Sequence, residues 1–191
     1  MIKGIMAGIM VAFAATLNLK IGGIVGAILF SLGLLTILTY QFNLFTGKAG
    51  LLATKQISLL GLFAIYWQNL IGTAIWVCVL LPTKLYEELQ PAVNAINDIR
   101  FNNGPLTNFV MGLICGVLMY LAVEFYKSKN YSQLIMCVAG FILFGANHCV
   151  ADMFYYYMAP NFGLAWPLLF TTLGNIVGCN LIPYTTKKAV N

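Results

Sequence analysis

A chain of 191 residues in which 61% of the side chains are apolar and 8% are charged carries more hydrophobic surface than one soluble core can hide. That excludes a water-soluble enzyme or binding domain and leaves an integral membrane protein. The net charge of +5 is spread over the ends of apolar segments instead of clustering among aromatics, so a nucleic-acid interface is excluded as well. Spans of about 20 apolar residues can be placed at 4–19, 21–54 with an interruption, 57–81, 106–126, 133–157 with an interruption, and 165–184. This is an all-α membrane domain over 1–191 with six transmembrane helices and no soluble domain.

The first span starts close enough to the N-terminus to be weighed against a signal peptide. A retained span is preferred, since without it the helix count becomes odd and the symmetry described below breaks. Gly4 and Gly8 form a small-xxx-small pair that admits a neighbouring backbone. The second span meets QFNLFTGKAG at 41–50, where Gln41, Asn43, Thr46, Gly47 and Lys48 put polar and flexible character at its centre. The spacing predicts a broken helix, with a true loop between re-entrant pieces as the alternative. A cation at the depth of Lys48 needs a partner, a wet vestibule or an anion.

The third span carries YWQNLIG at 66–72 and the sixth TLGNIVG at 172–178, so Asn69 and Asn175 each precede a glycine by three residues. Between the third and fourth spans lies the one polar stretch, 82–105, read as an outer loop carrying Glu87, Glu88, Asp98 and Arg100. The fourth span repeats the glycine pair at Gly112 and Gly116 and ends at Glu124, close enough to Lys127 for a local ion pair.

The fifth span holds FILFGANHCVADMF at 141–154, with the one histidine of the chain, His148. Gly145 and the Asn147–His148 pair are poor helix formers, which predicts a second broken helix and an imidazole facing a protein-lined cavity. The plainer alternative is a histidine satisfied between packed helices. Tyr155 to Tyr157 and Trp166 read as interfacial anchors. The five cysteines, Cys78, Cys115, Cys137, Cys149 and Cys179, show no CxxC spacing and no companion histidines, so neither a disulfide framework nor a metal site nor any cofactor is implied. Cys149 adjoins His148, but no base-orienting carboxylate stands beside the pair, and an enzyme is not expected.

Two three-helix repeats follow from this order, about 1–81 and 106–191, with the middle helix broken in each, helix two in the first and helix five in the second. An odd number of spans per repeat turns the second repeat upside down, and sites in such proteins lie where the broken helices meet. Lys3, Lys55, Lys127, Lys129, Lys187 and Lys188 fall at one set of ends, against Lys20, Lys84 and Arg100 at the other. Both termini are therefore expected on the cytoplasmic side of the cell (inner) membrane.

The segments FSLGLLTILTYQFNLFTGK (30–48), GLIC (112–115) leading into LAV (121–123), GANHCVADMF (145–154) and LGNIVGCNLIP (173–183) resemble, in the same order, those of the formate/nitrite transporter family of anion channels. The resemblance implies an aquaporin-like subunit assembled as a homopentamer, each subunit with its own pore for small monovalent anions of the formate, nitrite and hydrosulfide class. It implies Leu44, Phe45 and Thr46 at an inner constriction, Thr46 being a central contact, and Phe30, Leu34 and Phe141 at an outer one. His148 would be the central histidine, Asn175 the asparagine of the last helix, and Arg100 would stand where family members have a vestibule lysine.

The sequence departs from the family pattern in lacking the amphipathic N-terminal extension, and at Asn147, commonly glutamate, and Gly116, commonly asparagine. It departs also at Lys48 and Asp152, each asparagine elsewhere. These last two introduce opposite charges into the two broken helices and are expected to pair with each other. His148 is expected to offer a proton or a polarised hydrogen bond to a weak-acid anion, with flux rising as pH falls. A conduit for a neutral solute such as water or ammonia is the alternative within transport. An intramembrane enzyme built on Cys149 and His148, or a scaffold without transport, are the alternatives outside it.

Overall fold

Residues 1–160 and 162–186 are described by the computed structural model, which leaves Lys187 and Lys188 outside the described residues. In chain order the helices are α1 (Ile2–Ile21), α2 (Gly23–Thr39), α3 (Phe45–Ala49), α4 (Leu59–Leu80), α5 (Lys84–Asn102), α6 (Gly104–Lys127), α7 (Tyr131–Phe144), α8 (Cys149–Met158) and α9 (Ala165–Thr186), with a 3-10 turn at Phe162–Leu164 before α9. Four of them, α1, α4, α6 and α9, are long and apolar enough to cross a bilayer alone. The pair α7 and α8 passes the same test together while bending by 51° at its break, and α2 is a shorter apolar helix followed by the break that leads into α3. Large apolar side chains such as Leu60, Leu106 and Met136 are exposed on the outside, where a soluble protein would place polar groups.

Glycine sets the two main helix contacts. A Cβ built on Gly72 of α4 would stand 2.1 Å from the Ile5 carbonyl oxygen of α1 and 3.0 Å from the Gly8 Cα. On Gly178 of α9 it would stand 2.1 Å from the Leu113 oxygen of α6 and 3.0 Å from the Gly116 Cα. The GxxxG pairs seen in the sequence are thus the places where α1 meets α4 and α6 meets α9, backbone on backbone, as dispersion-driven packing in lipid favours. Gly178→Ala is expected to lower stability in detergent by about 1–3 kcal/mol through overpacking. Gly140→Ala, which would meet nothing within 4 Å, is expected to be neutral or stabilising by roughly 0.5–1 kcal/mol. Thermal midpoints of the two purified variants compare them directly.

The stretch 82–105, expected as an outer loop, is mostly the helix α5. Its polar composition hid an amphipathic pattern: Leu89, Val93, Asn97 and Arg100 recur at helical spacing and are buried, while Glu87, Glu88 and Asp98 face out. The buried face closes the end of α8. Tyr86 Oη and Gln90 Nε2 donate to the Met158 carbonyl at 2.9 and 3.0 Å, and Asn97 Nδ2 donates to Tyr155 O at 3.2 Å. Met158 O is one of the carbonyls a helix C-terminus leaves unpaired, while Tyr155 O also accepts the Ala159 N–H at 3.2 Å. Lys20 at the end of α1 pairs with Glu88 and ties α5 down at its other side. The expected local pair between Glu124 and Lys127 forms at 2.7 Å.

Candidate functional site

Both helix breaks are built from the same parts. Helix α7 ends with Gly145 in the left-handed region at φ +75°, and the Ala146 N–H reaches back to Phe141 O at 2.9 Å. Helix α2 ends with Gln41 at φ +54°, and the Phe42 N–H reaches Ile37 O at 2.8 Å. Each is the six-to-one closure that stops a helix and redirects the chain. The next polar residue is an asparagine in both: Asn43 N–H donates to Lys3 O at 3.1 Å, and Asn147 N–H to Met111 O at 3.2 Å.

A second asparagine then locks each break from the side. Asn175 Nδ2 donates to Gly112 O and Asn147 O, both at 2.8 Å, and its Oδ1 accepts the Cys149 N–H at 2.9 Å. Asn69 Nδ2 donates to Gly4 O and Asn43 O, both at 2.9 Å, and its Oδ1 accepts the Phe45 N–H at 2.8 Å. Both side chains are fully buried. The three-residue offset between asparagine and glycine noted in YWQNLIG and TLGNIVG therefore has a use. The glycine lets the helix approach, and the asparagine one turn earlier satisfies the backbone groups that the break has freed.

The breaks leave Leu44 and His148 in extended backbone, each preceding a short helix, α3 and α8 respectively. His148 Nδ1 accepts the Ala151 N–H at 3.2 Å, which assigns the ring proton to Nε2. Nε2 lies 2.9 Å from Thr46 Oγ1 and so donates to it, leaving the threonine free to turn its own proton elsewhere. Phe141 stacks on the imidazole with centroids 5.7 Å apart, and Phe30 meets Phe141 edge-on, also at 5.7 Å.

His148 lines a cavity of about 200 Å³ with Arg100, Phe141, Gly145, Asp152 and Tyr155. Leu44 lines another of about 460 Å³ with Leu34, Gln41, Lys48, Gln56 and Lys127. Thr46 lines neither, but it follows Leu44 by two residues, so its bond to His148 links the segment behind one cavity to the wall of the other.

Some expected residues lie elsewhere. Phe45 lines neither of these cavities. Its ring meets Tyr66 at 5.1 Å in an apolar groove between α4 and α9. Leu34, expected beside Phe30 and Phe141, lines the Lys48 cavity with Leu44, because it lies one helical turn nearer the α2 break than Phe30 does. Asn175 spends its amide on backbone groups and positions the break instead of facing a cavity. Tyr155, expected as an interfacial anchor, is buried in the wall of the His148 cavity.

The expected pairing of Lys48 with Asp152 does not form. Asp152, fully buried, takes Arg100 of α5 as its partner, Nε to Oδ1 at 3.3 Å, and Arg100 Nη1 also reaches Gly145 O at 3.4 Å. With 82–105 read as a solvated loop, nothing placed Arg100 against the fifth-span break. Two further participants carried no sequence signal. Asn108 Nδ2 donates to Arg100 O at 2.7 Å, and Asn147 Nδ2 donates to Asn108 Oδ1 at 2.9 Å and Thr171 Oγ1 at 3.3 Å. This network fixes the arginine-bearing end of α5 to the break that carries His148. Both nitrogens of His148 are engaged, by the Ala151 N–H and by Thr46 Oγ1, so neither is directed at the neighbouring Cys149.

The sequence model of the family described as formate/nitrite transporter matches residues 1–186. Among solved structures the fold is similar to a pentameric formate channel with formate bound, at 24% sequence identity and a TM-score of 0.79, over 97% of this chain and 93% of that one. It is similar also to an FNT family ion channel, at 18% identity and a TM-score of 0.81, over 97% of this chain and 87% of that one. No curated protein matches the sequence.

Proposed function

The chain belongs to the formate/nitrite transporter family, and from that premise we propose that it is a channel for small monovalent anions of the formate, nitrite and hydrosulfide class, linked to protons through His148. The observation that carries this reading is the Thr46–His148 hydrogen bond of 2.9 Å, at the meeting point of two equivalent helix breaks and between two largely apolar cavities that each carry charged side chains. In this reading α2 with α3, and α7 with α8, each make one interrupted span. The result is an aquaporin-like subunit with six spans in two inverted three-helix repeats, about 1–81 and 106–191, joined through α5. Lys3, Lys55, Lys127 and Lys129 at one set of helix ends put both termini on the cytoplasmic side of the cell membrane. Subunits assemble as a homopentamer, a reading supported by the similar formate channel, which is described as pentameric.

An anion moving from one cavity to the other must shed water against Phe141, Leu34 and Leu44. Fixed donors offset that cost, and the one on hand is the Thr46 hydroxyl, which accepts from His148 Nε2–H and can turn its own proton to the anion. A weak acid crosses such a constriction more cheaply once protonated. His148, whose Nδ1 holds the Ala151 N–H, serves by polarising the Thr46 hydroxyl that meets the anion and the water that protonates it. Flux is therefore expected to rise as pH falls from 8 to 5. A flat profile over that range, measured as formate uptake by proteoliposomes, removes the proton linkage. Anion currents across a planar bilayer under a salt gradient test the channel itself. Water or ammonia permeation without any such current would overturn the anion reading in favour of a neutral solute.

A further inference from the structure

The two breaks carry unlike charges at equivalent places. Lys48 lies four residues after Leu44, and Asp152 four residues after His148, in the short helices that the breaks begin. Their surroundings differ. Asp152 is matched by Arg100 at 3.3 Å, so the cavity lined by His148 holds one cation and one anion and no net charge. The cavity lined by Lys48 contains a second cation, Lys127, but Glu124 matches it at 2.7 Å. Among the described residues no carboxylate lies within ion-pair distance of the Lys48 ammonium. The other polar wall groups are neutral: the amides of Gln41 and Gln56, and the Tyr126 phenol, which donates to Thr39 Oγ1 at 3.2 Å. The rest is apolar, with Leu34, Ile37, Leu44 and Leu51 among the lining residues. One unmatched positive charge between low-dielectric walls focuses its field into the space it lines.

We infer that Lys48 makes this cavity the loading vestibule for a small monovalent anion, while Asp152 cancels the corresponding attraction of Arg100 on the other side, so that the channel loads unequally from its two faces. The inference rests on the anion-channel reading and adds to it a direction of easier loading and the residue that sets it. The end of α9 lies on the Lys48 side, where Asn180 bonds Ala53 N–H at 2.8 Å and Ala49 O at 2.9 Å.

Vesicles captured through a tag fused to the C-terminus hold the protein in one orientation, and formate flux can then be measured from either face. Wild type is expected to show the lower half-saturation when loaded from the Lys48 side. Lys48→Gln should raise that value by about three- to tenfold at low salt, with little change in maximal flux or in loading from the other side, and the difference should shrink as salt rises. Lys48→Arg keeps the charge and should stay close to wild type. Equal half-saturation from the two faces of wild type, or a Lys48→Gln change that acts equally on both, would overturn the inference and leave the channel reading standing. No anion flux from either face of folded wild type would overturn the channel reading, and this inference with it.

Discussion

Asn175→Leu is expected to remove most of the folded protein. The substitution keeps the branching and heavy-atom count of the side chain but removes the partner of the Cys149 N–H and of the carbonyls of Gly112 and Asn147, in a place where Asn175 itself is fully buried. An orphaned buried backbone group costs about 1–3 kcal/mol, and two at the break are orphaned together, the Cys149 N–H and the Asn147 carbonyl, while Gly112 O inside α6 loses its second bond. Even at about 0.6 kcal/mol per contact, the average found between helices in a membrane protein, the sum approaches 2 kcal/mol. Asn69→Leu orphans the Phe45 N–H and the Asn43 carbonyl, takes the second bond from Gly4 O inside α1, and should act alike. Asn180→Leu, whose amide bonds the half-buried turn after α3, should cost less. Size-exclusion recovery and thermal midpoint in detergent read the order, and an Asn175→Leu protein as stable as wild type would contradict the role given to this amide.

The second large effect lies at the buried ion pair. Arg100→Met leaves the Asp152 carboxylate fully buried without its cation, a change of about 3–5 kcal/mol for pairs of this kind. Replacing both, Arg100→Met with Asp152→Leu, removes the stranded charge and is expected to recover much of the loss. The coupling read from the double-mutant cycle should therefore be large. Lys48→Gln on the wild-type background should change stability little, since Lys48 makes no ion pair among the described residues. A loss on Lys48→Gln comparable to that on Arg100→Met would instead return Lys48 to the side of Asp152.

Several parts of this architecture were legible because the residues that break a buried helix are few. Gly145 and the asparagines at 43 and 147 stand out in apolar runs, and the repeated asparagine-to-glycine offset marked both helices that cross the breaks. The breaks could be located while their partners could not. Arg100 lies 52 residues before Asp152, on a segment whose charges suggested solvent. The buried face of α5 is visible only when Leu89, Val93, Asn97 and Arg100 are placed at helical spacing instead of being averaged with Glu87, Glu88 and Asp98. Pairing Lys48 with Asp152 relied on two changes of opposite sign, which give charge but no distance. At a finer scale, Leu44 and Phe45, expected together at one constriction, line different spaces. Where extended backbone turns into helix, consecutive residues project in different directions, and Phe45 points to Tyr66 while Leu44 faces the cavity.

The most direct test of the central claim is uptake of formate, nitrite and hydrosulfide by proteoliposomes across an imposed pH gradient, for wild type and for His148→Asn. Wild type is expected to take up at least one of the three anions, and His148→Asn to slow that uptake about tenfold, the effect of losing one hydrogen bond of about 1.4 kcal/mol at the bottleneck. Uptake unchanged by His148→Asn, or none at all by the folded wild-type protein, would contradict an anion path past His148 and Thr46.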